Sequence, residues 1–311
     1  MSAGILFAGG AQEGWDDYAP ELRRALDATG VDYTLAQDMP AEAVHYIVFA
    51  PGCPIEDFST FPSLKAVLRL WAGVEDVIGN DTITVPICRM VDPGMTQGMV
   101  EYVVAHVMRH HMETDRHVLN QNGTWKGGAQ HLPLAKDRRV CIMGIGALGS
   151  ACASALAGLG FDVTGWSRTQ KSLEGVRCLS GPAEEALDGQ DIVVLLTPLT
   201  EATANLLNAD TLARLATGAK IINPGRGGLI DDDALLAALE SGQVSHATLD
   251  TFRVEPLPED HPFWSHPQVT VTPHIASETR TDTASAMVAE NVRRGETGVP
   301  FINTVDRAAG Y

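Results

Sequence analysis

The sequence predicts an α/β protein with two domains, both built on parallel sheets. Its 311 residues are many for a single domain, and a hydrophobic content of 45% is enough to bury a sizeable core. Short apolar runs alternate with stretches of helical spacing along most of the chain. Strands that alternate with helices in this way are typical of parallel sheets.

The first hundred residues carry four apolar runs of strand length. Strands are therefore predicted at Ile5–Ala8, Tyr46–Ala50, Leu64–Leu68 and Ile83–Ile87. Helical spacing predicts one helix over Trp15–Ala28 and a longer one over Gly98–Met112. The longer helix carries His106 and His110 four positions apart. No third ligand or adjacent acid completes the pattern of a metal site, so no metal site is predicted.

The second half of the chain has the most regular alternation. Strands are predicted at Arg139–Met143, Phe161–Trp166, Asp191–Thr197, Ala219–Asn223, Ser245–Asp250 and Val269–Thr272. Helices fill the gaps between them, for example Ala147–Ala157. A second example is Asp232–Glu240, which follows Asp231, an acidic residue of the type that caps helix N-termini.

The C-terminal end returns to helical spacing beyond Pro273. A helix is predicted near Glu278–Arg294, and a short tail follows it. That tail is too short to form a domain, so it is expected to rejoin the N-terminal domain and make that domain discontinuous. The predicted domains are residues 1–104 with 277–311, and residues 105–276.

The charge balance limits the possible partners. A formal net charge of -17 argues against nucleic acids and anionic membranes, because both bind basic surfaces. The sequence has no run of about eighteen apolar residues, so no transmembrane helix is predicted. The N-terminus lacks the features of a signal peptide. The five cysteines are scattered without a CxxC pair, which is typical of a reducing compartment, so a cytoplasmic protein is expected. A small anionic ligand would need concentrated positive charge within this acidic chain.

A glycine-rich turn follows the predicted strand Arg139–Met143. Its sequence is GIGALG, from Gly144 to Gly149, and a predicted helix comes next. In such a turn Gly144 permits the tight bend, Gly146 lets a pyrophosphate approach the backbone, and Gly149 lets helix and strand lie close. The N–H groups of the helix N-terminus bind the phosphates. The pattern favours a Rossmann-type dinucleotide-binding domain over the alternative, a glycine-rich turn in another α/β domain.

The next predicted strand ends before a basic segment. An NAD-specific site usually places Asp or Glu here, to bind the ribose 2′-hydroxyl. This chain has Ser167, Arg168 and Lys171 in the segment and no acid. A hydroxyl and two cations suit a 2′-phosphate, which a carboxylate would repel, so NADP(H) is predicted in preference to NAD(H). The alternative is a solvated basic loop.

Three groups that could act on a carbonyl follow the later strands. Arg226 stands among glycines after Ala219–Asn223, and its planar fork can bind a carboxylate bidentately and polarise a carbonyl. His274 follows the last predicted strand, and an imidazole can donate a proton near neutral pH. Glu255 could bond to that imidazole, favour its protonated form and fix its orientation. All three follow the carboxyl ends of parallel strands, where open α/β sheets bind ligands.

Each of these groups has a simpler interpretation when it is taken alone. Arg226 could form a surface ion pair, Glu255 could be an exposed loop acid, and His274 could be a core histidine. As an ordered set after a dinucleotide-binding turn, they predict hydride transfer to a keto group with His274 as the proton donor.

These residues resemble the D-isomer-specific 2-hydroxyacid dehydrogenase family and, within it, the glyoxylate/hydroxypyruvate reductase A group. The resemblance spans nearly the whole chain. The segments that carry it are Gly144–Gly149, Trp166–Thr169 with Lys171-Ser172, Asp231–Leu239, Glu255–Pro258, Pro273-His274, and Asp306-Arg307 with Gly310-Tyr311. It implies a Rossmann-type dinucleotide-binding domain beside a discontinuous, flavodoxin-like substrate domain. It also implies NADPH-preferring reduction of small 2-keto acids such as glyoxylate and hydroxypyruvate, by a homodimer whose active site lies between the two domains.

The resemblance assigns roles to further residues. Backbone N–H groups of the loop formed by Trp71, Ala72, Gly73 and Val74 would bind the substrate carboxylate. Thr197 and Pro198 would line the cofactor, and Asp250 would face the nicotinamide carboxamide. The implied catalytic residues are Arg226, Glu255 and His274. The implied cofactor-binding residues are Gly144, Gly146, Ala147, Leu148, Gly149, Ser167, Arg168, Lys171, Thr197, Pro198 and Asp250.

Two positions depart from the family pattern. Gln170 stands where another cation is expected, which leaves Arg168 and Lys171 to hold the 2′-phosphate. Trp71 stands where a small residue is common. Its indole would favour two- or three-carbon acids if it borders the pocket, and the alternative is a place in the domain core.

Other functions remain open at this point. One is a dinucleotide-sensing binding protein that has lost its chemistry, which the intact catalytic set argues against. Another is a dehydrogenase for a different 2-hydroxy acid. A third is a relative that acts on formate or phosphite. Glu255 argues against formate, because a glutamine at this position would favour it.

Overall fold

The computed structural model describes residues 2–10, 14–123, 125, 132–308 and 310. Tyr311, which contributes to the resemblance, lies outside the described residues. The chain divides into unit 1, Met1–Met95 with Glu278–Tyr311, and unit 2, Thr96–Ser277. The first division falls after residue 95, where the sequence predicts it after residue 104. It lies inside the helix Pro93–His111, so no loop or change in composition marks it in the sequence.

Unit 1 is built on a sheet of parallel strands. They are β1 (Ala3–Gly9), β2 (Tyr33–Ala36), β3 (Tyr46–Phe49), β4 (Ala66–Arg69) and β5 (Ile87–Cys88). Their order is β2-β1-β3-β4-β5, which is the flavodoxin-like order. Every residue of β3 and β4 is buried, as expected for central strands of a parallel sheet. Helices α1 (Trp15–Thr29) and α8 (Thr281–Thr297) pack against each other, so the C-terminal segment rejoins the N-terminal one.

Unit 2 contains a longer parallel sheet. Its strands are β6 (Arg139–Met143), β7 (Asp162–Trp166), β8 (Val176–Leu179), β9 (Ile192–Leu195), β10 (Ala219–Asn223), β11 (Val244–Leu249) and β12 (Val269–Val271). Its helices are α2 (Pro93–His111, which begins in unit 1), α3 (Thr114–Leu119), α4 (Ala147–Gly158), α5 (Ala183–Leu187), α6 (Ala209–Ala213) and α7 (Asp232–Ser241). The order β12-β11-β10-β9-β6-β7-β8 is the Rossmann order with one additional strand at β12. In the described part of the chain, no helix is long and apolar enough to cross a membrane.

The predicted fold class is confirmed, and the differences concern short strands. The sequence does not predict β2 or β8, which lie at the edges of their sheets. Their residues are half-buried or exposed, so neither forms an apolar run. Ile83 is predicted within a strand, but the strand is confined to Ile87–Cys88. Ile83 is buried in an irregular segment. Pro86, three residues later, has no N–H to donate to a strand ladder.

Helix α2 places polar side chains against β11 and β12. His110 is 3% exposed, and its Nε2 lies 3.0 Å from Thr248 Oγ1. The centroids of the His110 and His246 rings are 5.0 Å apart. Burial, together with the charges of His246 and Arg109, lowers the pKa of His110 to about 2. His110 therefore stays neutral in the folded protein.

We expect His110 to make the free energy of unfolding depend on pH. Below about pH 6.5 the unfolded chain binds a proton at this histidine that the folded protein does not bind. Stability is therefore lost as pH falls from about 6.5 toward the folded pKa, with a slope approaching about 1.4 kcal/mol per pH unit. Urea unfolding of His110→Gln at several pH values between about 5 and about 7 should show a smaller slope than the unmodified protein. The exposed His117→Gln removes a histidine from the surface and is the control. Equal slopes for His110→Gln and the unmodified protein would contradict the prediction.

Candidate active site

Close backbone contacts shape the glycine turn between β6 and α4. Gly144 has a φ of 108°, and a Cβ on it would lie 2.5 Å from the peptide that joins Leu196 to Thr197. A Cβ on Gly149 would lie 1.9 Å from the Gly144 carbonyl oxygen. By contrast, nothing lies within 4 Å of the Cβ position of Gly146, the N-cap residue of α4. The turn therefore leaves the backbone open at the residue where the sequence predicts a phosphate.

The turn lies where the strand order of unit 2 reverses. β6 has β7 on one side and β9 on the other, and open α/β sheets bind ligands at such a point. Ala147 and Leu148 form the first turn of α4, whose N–H groups have no acceptor within the helix. Thr197 follows β9 and is 4% exposed, with half-buried Pro198 next to it. In the described residues, Thr197 Oγ1 has no hydrogen-bond partner, which is unusual for a buried hydroxyl. These groups fit a polar ligand of the dinucleotide type.

The loop after β7 carries the two predicted cations. Arg168 and Lys171 are exposed. Ser167 is half-buried, and its Oγ donates a hydrogen bond to the carbonyl oxygen of Thr169 at 2.7 Å. The two positive charges therefore lie where a solvent-borne anion can reach them.

Gln170, which departs from the family pattern, has a structural role in the same loop. Its Nε2 donates to the carbonyl oxygen of Cys178 in β8 at 3.2 Å, and its Oε1 accepts from Ser180 Oγ at 2.9 Å. The side chain thus links the loop to the edge strand as both a donor and an acceptor. A lysine ammonium could only donate.

Arg226 is positioned by the turn that follows β10. Asn223 is 1% exposed, and its Oδ1 accepts from the Gly225 N–H at 3.1 Å while its Nδ2 donates to the Arg226 carbonyl oxygen at 3.0 Å. Arg226 Nη1 donates to the Gly225 carbonyl oxygen at 2.7 Å. A Cβ on Gly227 would lie 2.0 Å from the carbonyl carbon of Phe252, so this turn and the loop after β11 meet backbone to backbone. No pattern in the local sequence marks Asn223 as a site residue.

Glu255 and His274 form a hydrogen-bonded pair. His274 Nδ1 lies 2.8 Å from Glu255 Oε2, and Glu255 Oε1 accepts from the Phe252 N–H at 2.8 Å. Burial by itself raises the pKa of Glu255. The hydrogen bonds from His274 and Phe252 and the positive charges of His274 and Arg226 outweigh it, so that pKa lies below its ordinary value. Because an ionised carboxylate only accepts, Nδ1 carries the hydrogen, and Nε2 is the nitrogen that can exchange a proton with a ligand.

An unusual backbone conformation presents His274. Its φ is 56°, in the left-handed region, and its N–H donates to the Asp250 carbonyl oxygen at 2.9 Å. Asp250 is fully buried. Its Oδ1 accepts from the Ile275 N–H and its Oδ2 from the Ala276 N–H, both at 2.9 Å. The Asp250 carboxylate therefore holds the segment that follows His274. That Asp250 also faces a nicotinamide carboxamide stays a prediction.

The segment predicted to bind a carboxylate, Trp71–Val74, lies in unit 1 after β4. Its first three residues are half-buried, and Val74 is 3% exposed. The Trp71 carbonyl oxygen accepts from the Met90 N–H at 3.0 Å. Trp71 is therefore not one of the fully buried core residues of this unit.

An ion pair between a buried arginine and an exposed aspartate links the residues on either side of that segment. Arg69, the last residue of β4, is 1% exposed, and its Nη1 lies 2.8 Å from Asp76 Oδ1. Its guanidinium also lies 4.9 Å from the centroid of the Phe49 ring. This pair could not be predicted from the sequence, because nothing in a local pattern marks a strand residue as a buried cation.

The structure thus brings Arg226, Glu255 and His274 to the carboxyl ends of neighbouring strands of unit 2. Within the described ranges, no group of three or more His, Cys, Asp or Glu side chains could hold a metal ion. The Rossmann order and the glycine turn at its reversal point define a dinucleotide-binding α/β unit.

A family model and several relatives match this chain. The model described as "D-isomer specific 2-hydroxyacid dehydrogenase, NAD binding domain" matches residues 102–276, more than half of the sequence. The chain belongs to the D-isomer-specific 2-hydroxyacid dehydrogenase family, whose members are NAD(P)-dependent enzymes. Glyoxylate/hydroxypyruvate reductase A of Serratia proteamaculans (strain 568) is 38% identical over 284 residues, which cover 88% of this chain and 89% of the relative.

Solved structures of relatives share the fold. A D-isomer-specific 2-hydroxyacid dehydrogenase from Xanthobacter autotrophicus Py2, solved in complex with NADPH and MES, is 40% identical with a TM-score of 0.91 over 100% of both chains. An NADPH-dependent glyoxylate/hydroxypyruvate reductase from Sinorhizobium meliloti, solved with NADP and sulfate, is 32% identical with a TM-score of 0.85, also over 100% of both chains. These similarities confirm the recognised family and the α/β fold.

Two glycines of the turn should respond differently to the same substitution. Gly149→Ala places a methyl group against the Gly144 carbonyl, which requires a backbone shift and should cost about 1–3 kcal/mol of stability. Gly146→Ala adds its methyl group in open space at a φ of -73°, so the free energy of unfolding should change by less than about 1 kcal/mol. Urea unfolding of both variants measures the difference. Equal losses for the two would show that the turn is not constrained as described.

Proposed function

We propose that this chain reduces small 2-keto acids, such as glyoxylate and hydroxypyruvate, to 2-hydroxy acids with NADPH. The observation that carries the proposal is the 2.8 Å pair of His274 with Glu255, at the strand ends that also carry Arg226. The relatives support the substrate class, since the Serratia and Sinorhizobium proteins are named for these two acids. The intact pair argues against a binding protein without chemistry.

The cofactor-binding residues fit a dinucleotide phosphate. Gly146, Ala147 and Leu148 would bind the pyrophosphate through open backbone N–H groups, between the close contacts that Gly144 and Gly149 make possible. Ser167, Arg168 and Lys171 would hold the 2′-phosphate. Thr197, Pro198 and Asp250 would line the nicotinamide side, and Thr197 Oγ1 would gain a partner there. The relatives solved with NADPH or NADP support this choice of cofactor.

The substrate would be held by its carboxylate. The guanidinium of Arg226 presents parallel donors, so it can bind the carboxylate and polarise the adjacent carbonyl. The family resemblance also assigns carboxylate binding to the backbone N–H groups of Trp71–Val74, with the Trp71 indole limiting the substrate to small acids. In an acidic chain of net charge -17, such local donors overcome the repulsion that an anion meets elsewhere.

Reduction requires a hydride at the carbonyl carbon and a proton at the carbonyl oxygen. The bound nicotinamide supplies the hydride. His274 donates the proton from Nε2, because its Nδ1 is occupied by Glu255. The Glu255 carboxylate keeps the imidazole ring in place by accepting from Nδ1, and it can do so because its own pKa lies below the ordinary value.

We also propose that the enzyme is a cytoplasmic homodimer. Leu119 and Trp125, in the region that follows α2, are 78% and 98% exposed, and large apolar side chains of this kind are enriched at subunit interfaces. The cysteines are free thiols in the structure, which supports a reducing compartment. Sedimentation equilibrium over a range of protein concentrations tests the dimer, and a monomer throughout would refute it.

One assay tests the proposed function directly. The purified protein is mixed with NADPH and glyoxylate or hydroxypyruvate, and the absorbance of the reduced nicotinamide is followed. Oxidation of NADPH should depend on the keto acid, and His274→Ala should slow it by about 10²–10⁴-fold while cofactor binding is kept. A panel of longer keto acids and formate serves as the comparison. Protein that binds NADPH but never oxidises it would favour the dinucleotide-sensing alternative.

Arg168 should determine the preference for NADPH over NADH. Charge-assisted hydrogen bonds contribute on the order of 1.5–3 kcal/mol each, so Arg168→Asp should lower the ratio of kcat/KM for NADPH to that for NADH by about tenfold or more. The exposed Arg24→Asp makes the same change of net charge in unit 1 and is the matched control. Equal kcat/KM values for both cofactors in the unmodified enzyme would argue against the assignment.

Glu255 should keep the His274 imidazole in place for reduction. Its Oε2 lies 2.8 Å from His274 Nδ1, which leaves Nε2 to give the proton. Glu255→Gln keeps an acceptor oxygen but removes the negative charge, so kcat/KM, measured from NADPH oxidation, should fall by about tenfold or more. Glu255→Ala removes the acceptor as well and should lower kcat/KM further. An unchanged kcat/KM in both variants would contradict the pairing role.

A further inference from the structure

A chain of three polar side chains leads from helix α2 to the His274 turn. Tyr102 Oη lies 2.8 Å from Thr272 Oγ1, and Thr272 Oγ1 donates to Asp250 Oδ1 at 2.6 Å. All three residues belong to unit 2. Neither Tyr102 nor Thr272 has a place in the mechanism proposed above.

The direction of these hydrogen bonds follows from the number of protons available. Thr272 has a single hydroxyl proton, and it is given to the buried Asp250 carboxylate. Thr272 Oγ1 must then accept, so the Tyr102 hydroxyl is the donor in their contact. Burial raises the pKa of Tyr102 above its ordinary value, which keeps the phenol protonated and able to donate.

The other end of this hydrogen-bonded chain of side chains is the backbone around His274. Asp250 Oδ1 and Oδ2 accept from the Ile275 and Ala276 N–H groups, and the His274 N–H donates to the carbonyl oxygens of Asp250 and Thr272 at 2.9 and 3.0 Å. These bonds bracket a residue whose φ is 56°. A left-handed conformation at a residue other than glycine persists only where the surroundings hold it.

From this geometry we propose that Tyr102 is a positioning residue for His274. Its hydroxyl fixes the Thr272 rotamer that donates to Asp250, and the Asp250 carboxylate then holds the backbone that aims the imidazole. Tyr102 touches neither Glu255 nor His274 through any of these bonds, so it acts only through Thr272 and Asp250. The inference rests on the proposed role of His274 as proton donor.

The alternative is that Tyr102 only fills space. Its ring centroid lies 4.4 Å from that of His106, and this contact needs no hydroxyl. Tyr102→Phe keeps the ring and removes the hydroxyl, so it separates the two interpretations. Thr272→Val breaks the same chain with a side chain of similar shape, and Thr272→Ser restores the hydroxyl.

The readout is the rate of NADPH oxidation in a single turnover with glyoxylate, together with KM for glyoxylate and Kd for NADPH. Tyr102→Phe should lower the single-turnover rate by about three- to tenfold, because a donor held less firmly reaches the reactive geometry less often. KM and Kd should stay within about twofold of the unmodified enzyme, since Arg226 and the glycine turn are untouched. Thr272→Val should be at least as slow, and Thr272→Ser should recover most of the rate.

The double variant, Tyr102→Phe with Thr272→Val, tests most directly whether Tyr102 acts through Thr272. Because Tyr102 acts through Thr272, Tyr102→Phe should add no further loss to Thr272→Val. Tyr46→Phe is the matched control. Its hydroxyl is likewise bonded inside the fold, to Glu296 Oε1 at 2.7 Å in unit 1, and its loss should leave the single-turnover rate unchanged.

Three outcomes would overturn the inference: a rate unchanged in Tyr102→Phe, losses that multiply in the double variant, or a Thr272→Ser enzyme as slow as Thr272→Val. If Tyr102→Phe does not fold, the single-turnover rates of Thr272→Ser and Thr272→Val decide whether the inference holds. An unmodified enzyme that reduces no keto acid would refute the proposed function instead. An active enzyme that tolerates Tyr102→Phe would refute the positioning role alone.

Discussion

The parallel order of the unit 2 sheet is the constraint on which the candidate active site depends. Because all the strands run in the same direction, their carboxyl ends meet at one edge, and whatever follows each strand is brought there. Six strands deliver candidate site residues in this way. These residues include Gly144 after β6, Arg168 after β7, Thr197 after β9, Arg226 after β10, Asp250 and Glu255 after β11, and His274 after β12. Residues far apart in the sequence become neighbours without any local signal that pairs them.

Buried polar anchors then fix the loops that the sheet brings together. Asn223 holds both sides of the turn before Arg226, and Asp250 holds the segment after His274. Gly227 lets two of these loops meet backbone to backbone. Hydrogen bonds are stronger away from water, and an unpaired buried group is costly, so satisfied anchors of this kind favour a single geometry. The exposed ends of Arg226, Glu255 and His274 can therefore face a ligand from rigid positions.

Much of this could be predicted from local patterns. The alternation of apolar runs and helical spacing gives the two parallel α/β units, because burial on both faces of a sheet demands apolar strands. The edge strands β2 and β8 escape the same reasoning, since half-exposed strands need no apolar run. The division between the units, which falls inside α2, could not be predicted either, because a continuous helix contains no loop residues to mark it.

The sequence by itself determined the chemistry that is available: the glycine turn from Gly144 to Gly149, and an arginine, a glutamate and a histidine placed after successive strands. Only the tertiary structure decided which atoms meet. It pairs Nδ1 of His274 with Glu255, connects Tyr102 to Asp250 through Thr272, and joins the buried Arg69 to the exposed Asp76. The physical reason is range. Periodicity and turn residues report on the few positions around them, whereas a hydrogen bond or an ion pair depends on where distant strands and helices bring two side chains.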